Sequence, residues 1–228
     1  IEEGKAAEVI PAQCHGCGAC VAECPRNAIT QMHFTDAQIL AQMRALLADK
    51  PEEKIFAFRC HWCSYAAADM AGTSHFEYSS NERGIRVMCS ARMDADFIYE
   101  AFSLGAGAVL FSGCHLQDCH YITGQNVGAV RAKRLLKTFD KMGMTPGRFR
   151  VEWISAAEGD KYASIINEMQ KVISEIPRKK LLKEIEILRP QMEKRSRRMY
   201  DVPEVSEAVE YSEKMMKVIT AKEVSSGE

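Results

Sequence analysis

Four cysteines fall close together near the start of the chain, in Cys14-His-Gly-Cys17-Gly-Ala-Cys20-Val-Ala-Glu-Cys24-Pro25. Thiolates two residues apart on a tight turn can grip separate irons of one cubane cluster, and C-x2-C-x2-C-x3-C-P is a spacing that does so. Gly16 and Gly18 let the backbone wrap close and aim amides at the sulfurs. Zinc sites seldom use four cysteines so near one another, and four buried inert thiols would have no reason to keep this register. The chemistry implied is one-electron transfer through a [4Fe–4S] cluster.

The run resembles that of bacterial ferredoxins. In two-cluster ferredoxins the fourth cysteine serves the other cluster. That resemblance implies that Cys14, Cys17 and Cys20 hold a local [4Fe–4S] cluster while Cys24 reaches a second one. The second cluster needs three further cysteines from a mate motif, and none follows downstream. We expect the mate upstream of Ile1, in a longer polypeptide of which these residues are a processed product or a part.

Five cysteines remain, at Cys60, Cys63, Cys89, Cys114 and Cys119. Cys60-His-Trp-Cys63 resembles a thioredoxin-type dithiol between a strand and a helix, but that reading leaves the other three unexplained. A tetrahedral zinc site would use four of the five. An iron–sulfur cluster beside a ferredoxin-like run makes better electron-transfer sense. Cys60, Cys63 and Cys89 are the firmest ligands; Cys114 and Cys119 compete for the fourth place. His61, His115 and His120 are near enough in sequence for Rieske-like ligation, with surface or hydrogen-bonding roles as the duller reading.

The elements that must position these thiols follow from hydrophobic periodicity. Residues 1–34 form a small turn-rich unit, with Ala6–Ile10 as a short strand. Thr35 and Gln38 have capping-box spacing, and Ile39, Leu40, Met43, Leu46 and Leu47 make a helical stripe that Lys50-Pro51 ends; residues 35–54 are thus a linker helix. Strands are expected at Ile55–Phe58, Gly84–Met88, Ala108–Phe111 and Arg148–Ile154. Helices are expected at Trp62–Ala71, after Asp94, at Val127–Met142 and at Asp160–Ile176. Such alternation implies an α/β domain over 55–176, an open and mostly parallel four-stranded sheet. Ligands of such sheets gather at the carboxyl ends of the strands. Cysteines at the ends of the first three strands would therefore meet at one rim, where helix N-termini favour thiolates. Residues 177–228 read as a charged helical extension, interrupted at Pro190. Its basic run Lys194-Arg195-Ser196-Arg197-Arg198 reads as a solvated face, with a docking arm for a partner subunit as the rival, and the tail Ser225–Glu228 as disordered.

Residues 55 to about 175 are similar to the delta subunit of methyl-viologen-reducing [NiFe] hydrogenase. The resemblance rests on Cys-His-Trp-Cys-Ser-Tyr-Ala at 60–66, Ala-Asp-Met-Ala-Gly at 68–72 and Arg-Val-Met-Cys-Ser at 86–90. Gly-Cys-His at 113–115, Asp-Cys-His-Tyr at 118–121 and Glu-Trp-Ile-Ser-Ala at 152–156 complete it. It implies a [2Fe–2S] cluster and electron transfer between a [NiFe] hydrogenase, or a formate dehydrogenase, and heterodisulfide reductase subunits. Residues 1–34 resemble the C-terminal ferredoxin part of the heterodisulfide reductase A subunit. The pair implies an upstream FAD-containing part and electron bifurcation in the whole complex. The 228 residues themselves contain no G-x-G-x-x-G after a strand, no P-loop and no Gly-x-Ser-x-Gly, so no substrate chemistry is expected within them.

Bulk properties narrow the setting. The net charge is -1, which gives no electrostatic case for nucleic acid or an anionic membrane. No stretch approaches the roughly 20 apolar residues of a membrane span. Nine cysteines, an odd number in tight groups without an export signal, fit metal binding in a reducing cytoplasm better than a disulfide scaffold. Trp62 and Trp153 are expected in the core, and the twelve methionines as core filler.

Overall fold

The computed structural model describes residue 6 and residues 8–196. Ala6 and residues 8–10 are exposed and irregular rather than a strand. No strand among the described residues lies beside them to pair with, and Ile10 passes straight into a 3-10 turn at Pro11–Gln13. The cysteine run follows, with Cys20 in a one-turn helix α1 (Ala19–Glu23) and Cys24 at its C-cap. Helix α2 (Asp36–Leu46) starts on the expected capping box: the Gln38 N–H donates to Thr35 Oγ1 at 3.2 Å, and the Thr35 N–H to Gln38 Oε1 at 3.1 Å.

The main domain is a βα alternation. Strand β1 (Ile55–Cys60) leads to α3 (Ser64–Thr73) and β2 (Glu82–Val87). Helix α4 (Ala95–Ser103), β3 (Ala108–Gly113), α5 (Gly124–Lys141), β4 (Phe149–Trp153) and α6 (Gly159–Glu175) follow. The sheet order is β2-β1-β3-β4 and every pairing is parallel. Helix α3 starts at Ser64 rather than Trp62, because residues 61–63 form a turn; Gly72 lies inside it.

Period-two alternation sorts the strand residues between two cores. Phe56, Phe58, Val109 and Phe111 pack with Phe97, Ile98, Leu135 and Phe139, joined by Ile39, Leu40 and Met43 of α2. Ile55, Ala57, Ala108 and Leu110 face Ala67, Ala71, Tyr162, Ile166 and Met169. Both faces are covered, as an all-parallel sheet requires.

Helix α7 (Arg178–Ser196) runs through Pro190 without a break. Its buried stripe of Leu181, Ile185, Leu188, Met192 and Ser196 keeps helical spacing across the proline and spans both cores. Pro190 and Glu186, whose carbonyl loses its N–H partner, are both exposed, so packing on one side holds the helix while water serves the other. Arg195 lies over the Tyr99 ring at 5.5 Å, and Ser196 is buried. The basic run is therefore not wholly a solvated face. Its last two arginines and the tail Ser225–Glu228 lie outside the described residues. No helix among the described residues is long and apolar enough to cross a membrane.

Candidate iron–sulfur site

The carboxyl ends of three strands bring the rim cysteines together. Cys60 is the last residue of β1, Cys114 follows β3 directly, and Cys89 lies two residues beyond β2. Ser64 ties the first two: the Cys60 N–H donates to Ser64 Oγ at 2.8 Å, and the Ser64 hydroxyl donates to the Ser112 carbonyl at 3.2 Å. The His61 N–H extends the β1–β2 ladder to the Val87 carbonyl at 2.7 Å and carries the turn toward Cys89.

The five thiols form two adjoining groups. In the first, Cys60 Sγ and Cys114 Sγ are 3.6 Å apart, and Cys63 reaches both. Bonds from Cys114 and then Cys63 hold the Cys60 thiol far below the usual range, at about 2. Donation to Cys60 pushes Cys114 well up. A bond from Cys114 lowers Cys63, but donation to Cys60 and burial outweigh it and leave that thiol at about 11. The three thiols thus form one hydrogen-bonded group in which Cys60 is the acceptor. In the second group, Cys89 and Cys119 are buried and pack with Ala91; Cys17, Ala19, Tyr121 and Val127 close around them. Burial pushes Cys89 up to about 12. The first turn of α5 serves this group: the Gln125 N–H donates to Cys119 Sγ at 3.3 Å. Gly124 is glycine for lack of room, since a Cβ there would lie 2.6 Å from Cys89 Sγ.

Among the described residues no three His, Cys, Asp or Glu side chains are arranged to hold a single metal ion. Two buried polar atoms at the rim have no partner: Ser90 Oγ, next to Cys89, and His61 Nδ1, next to Cys60. Buried polar atoms are nearly always satisfied. A rim of thiols with unpartnered polar atoms beside it suits a buried, sulfur-liganded anionic group. His115 and His120 are engaged elsewhere: His115 Nε2 meets Glu158 Oε2 at 2.6 Å, and His120 stacks on Trp62 at 3.7 Å.

Two arginines that no sequence pattern singles out dock the ferredoxin-like run against this rim. The turn after Cys89 carries Arg92, which is buried; its guanidinium donates to the Phe34 carbonyl at 3.0 Å, pairs with Asp36, and lies over Phe97. Arg131 of α5 donates to the Ala91 and Met93 carbonyls at 2.8 and 2.9 Å and pairs with Glu23 of α1. Gly18, at φ +79°, fits against Arg92, whose Cδ would be 2.7 Å from a Cβ there. Cys17 is thereby placed beside Cys89 and Cys119, while Cys14 and Cys20 stay exposed. Cys24 points into its own turn, where the Ala28 N–H donates to Sγ at 3.3 Å and lowers the thiol's pKa. Trp62, expected in the core, is 39% exposed at the edge of the rim; Trp153 packs against the core as expected.

A parallel α/β domain whose strand ends gather cysteines, bearing a ferredoxin-like cysteine run, defines an iron–sulfur protein class. Residues 55–177 match the family model of the methyl-viologen-reducing hydrogenase delta subunit, and residues 7–30 match a 4Fe-4S binding domain. The chain belongs to this delta-subunit family. It is 44% identical to the A subunit of the ferredoxin:CoB-CoM heterodisulfide reductase of Methanosarcina mazei, over 65% of this chain and 19% of that protein. It is 40% identical to the iron-sulfur D subunit of the F420-non-reducing hydrogenase of Archaeoglobus profundus, over 57% of this chain and 95% of that protein. The chain thus spans nearly all of the hydrogenase protein but only a fifth to a quarter of the heterodisulfide reductase relatives.

Proposed function

We propose that the chain relays electrons between two thiolate-bound iron–sulfur centres. It would do so as part of a complex joining a hydrogenase, or a formate dehydrogenase, to a flavin-containing, electron-bifurcating heterodisulfide reductase in the cytoplasm. The observation that carries this reading is the packing of Cys17 against Cys89 and Cys119. It makes the ferredoxin-like run and the rim neighbours rather than two tethered modules.

Cys60, Cys63, Cys114 and Cys89 are the ligands we assign to a [2Fe–2S] cluster, since three already converge and Cys89 follows the remaining neighbouring strand. Cys119 is then the fifth thiol, bonded by the Gln125 amide of α5 and packed with Cys89 and Cys17. Cys14, Cys17 and Cys20 would hold a [4Fe–4S] cluster, with Cys24 serving a second through an upstream mate. When bound, such clusters supply one-electron redox chemistry. The chain's own residues hold them, exclude water and fix their separation. FAD belongs to the upstream part of such a complex, and the described residues assign it no site.

A dithiol oxidoreductase is the second reading, favoured by the low pKa of Cys60 in its Cys-x-x-Cys turn. Burial argues against it, because Cys60 is 1% exposed and an attacking thiol must be reached by its substrate. Iron and sulfide analysis of the anaerobic chain decides: about 6 of each per chain fits one cubane and one binuclear cluster. An active dithiol without rim iron would overturn the proposal. Sharing through Cys24 fails if one cubane is bound by all four cysteines of the run.

A further inference from the structure

Trp62, between Cys60 and Cys63, is neither in the core nor loose at the surface. Its ring stacks on His120, with centroids 3.7 Å apart and planes at 17°. Its Nε1–H donates to the Tyr121 hydroxyl at 2.9 Å. His120 and Tyr121 follow Cys119 directly, so one indole joins the two turns that carry the rim thiols. Tyr121 in turn packs on the Cys89–Cys119 group together with Cys17. The turn it belongs to is strained: Ile122, a β-branched residue, sits at φ +63° and is 80% exposed. Such a conformation is unfavourable for a β-branched residue and persists only where neighbouring contacts over-determine it. Those contacts here are the Ile122 N–H bond to the Cys119 carbonyl at 2.8 Å and the anchoring of Tyr121 and His120 by Trp62.

We infer that Trp62, His120 and Tyr121 form an aromatic strap that closes the thiol rim against water, with Trp62 positioning Tyr121 over the Cys89 and Cys119 sulfurs. The inference rests on the rim holding an iron–sulfur cluster, as proposed above. Reduction adds negative charge to a group bound by thiolates. A dry surround disfavours that charge, and wetting favours it. Opening the strap therefore shifts the rim potential to more positive values and exposes the cluster to oxidants. The three side chains are positioning residues, not ligands.

The test uses the 228-residue chain loaded with iron and sulfide under anaerobic conditions. The rim signal is titrated by EPR against potential, and its half-life in air is followed in the visible. Trp62→Ala is expected to raise the rim midpoint and shorten the half-life several-fold. Trp62→Phe, which keeps a stacking ring but loses the N–H donor, should fall between it and the unmodified chain. Tyr121→Phe deletes the same hydrogen bond and should match Trp62→Phe. If Trp62→Ala fails to load, His120→Ala removes the stack alone and is expected to show the same direction of change. A rim signal with unaltered midpoint and half-life in Trp62→Ala, or in its His120→Ala substitute, overturns the strap. A rim that binds no iron in the unmodified chain overturns the site reading, and the strap with it.

Discussion

Arg131 is the side chain whose loss should do most damage to the junction between the cysteine run and the rim. It is 8% exposed and makes two kinds of contact. Its Nη1 donates to the Ala91 and Met93 carbonyls on the turn after Cys89, and its Nη2 pairs with Glu23. The two differ greatly in weight. A buried carbonyl deprived of its donor loses about 1–3 kcal/mol, so with two such carbonyls Arg131→Met should destabilise by roughly 2–6 kcal/mol. Glu23 is 58% exposed, and a screened ion pair of that kind contributes about 0–1 kcal/mol. Glu23→Gln should therefore be nearly silent, and the double variant should resemble Arg131→Met alone. Chemical denaturation of the four proteins measures this directly. The carbonyls Arg131 satisfies lie close to Cys89 in the same turn, so Arg131→Met should also lower rim iron while Glu23→Gln leaves it intact. A Glu23→Gln cost equal to that of Arg131→Met, or an Arg131→Met cost below about 0.5 kcal/mol, the usual range of a surface change, would refute this weighting of the two contacts.

Other outcomes follow from single residues. Gly18→Ala places a Cβ against Arg92 and Gln31 at a positive φ, and should lose cubane iron in proportion to a destabilisation of about 1–3 kcal/mol. Cys60→Ser should abolish the rim EPR signal while Cys119→Ser retains it; the reverse pattern would overturn the ligand assignment. Burial raises the Glu184 pKa, but donors from Thr145 and Arg148 more than reverse this and leave it below 4.5. A depressed folded pKa gives stability that is present above the unfolded value and lost as pH falls through the folded one. The chain should therefore lose stability below about pH 4.5, more steeply than Glu184→Gln, as read by denaturation midpoints across pH.

The sheet was legible because its signals are local. Short apolar runs at 55–58 and 108–111, turns between them and amphipathic helices behind them need no long-range knowledge, and the Thr35–Gln38 capping box appears atom for atom. The meeting of Cys60 and Cys114 was legible too, because strand ends of a parallel sheet share an edge; Cys89, two residues past β2, packs with Cys119 beside them. What failed depended on partners. Ala6–Ile10 has strand composition but no neighbour to pair with among the described residues. Pro190 reads as a helix break, yet packing of Leu188 and Met192 carries α7 through it. Trp62 reads as core because tryptophan usually is, while its stacking partner lies 58 residues away in the sequence. Arg92 and Arg131 carry no pattern that separates a buried arginine from a solvated one. Their meaning appears only once the turn after Cys89 and the helix α1 are seen side by side.

Mössbauer spectroscopy of the anaerobic chain, grown on isotopically enriched iron, separates cubane from binuclear iron. A cubane component and a binuclear component are expected in the unmodified chain, with selective loss of the binuclear component in Cys60→Ser. A single component that survives Cys60→Ser unchanged, or zinc in place of iron at the rim, would rule out a two-cluster relay.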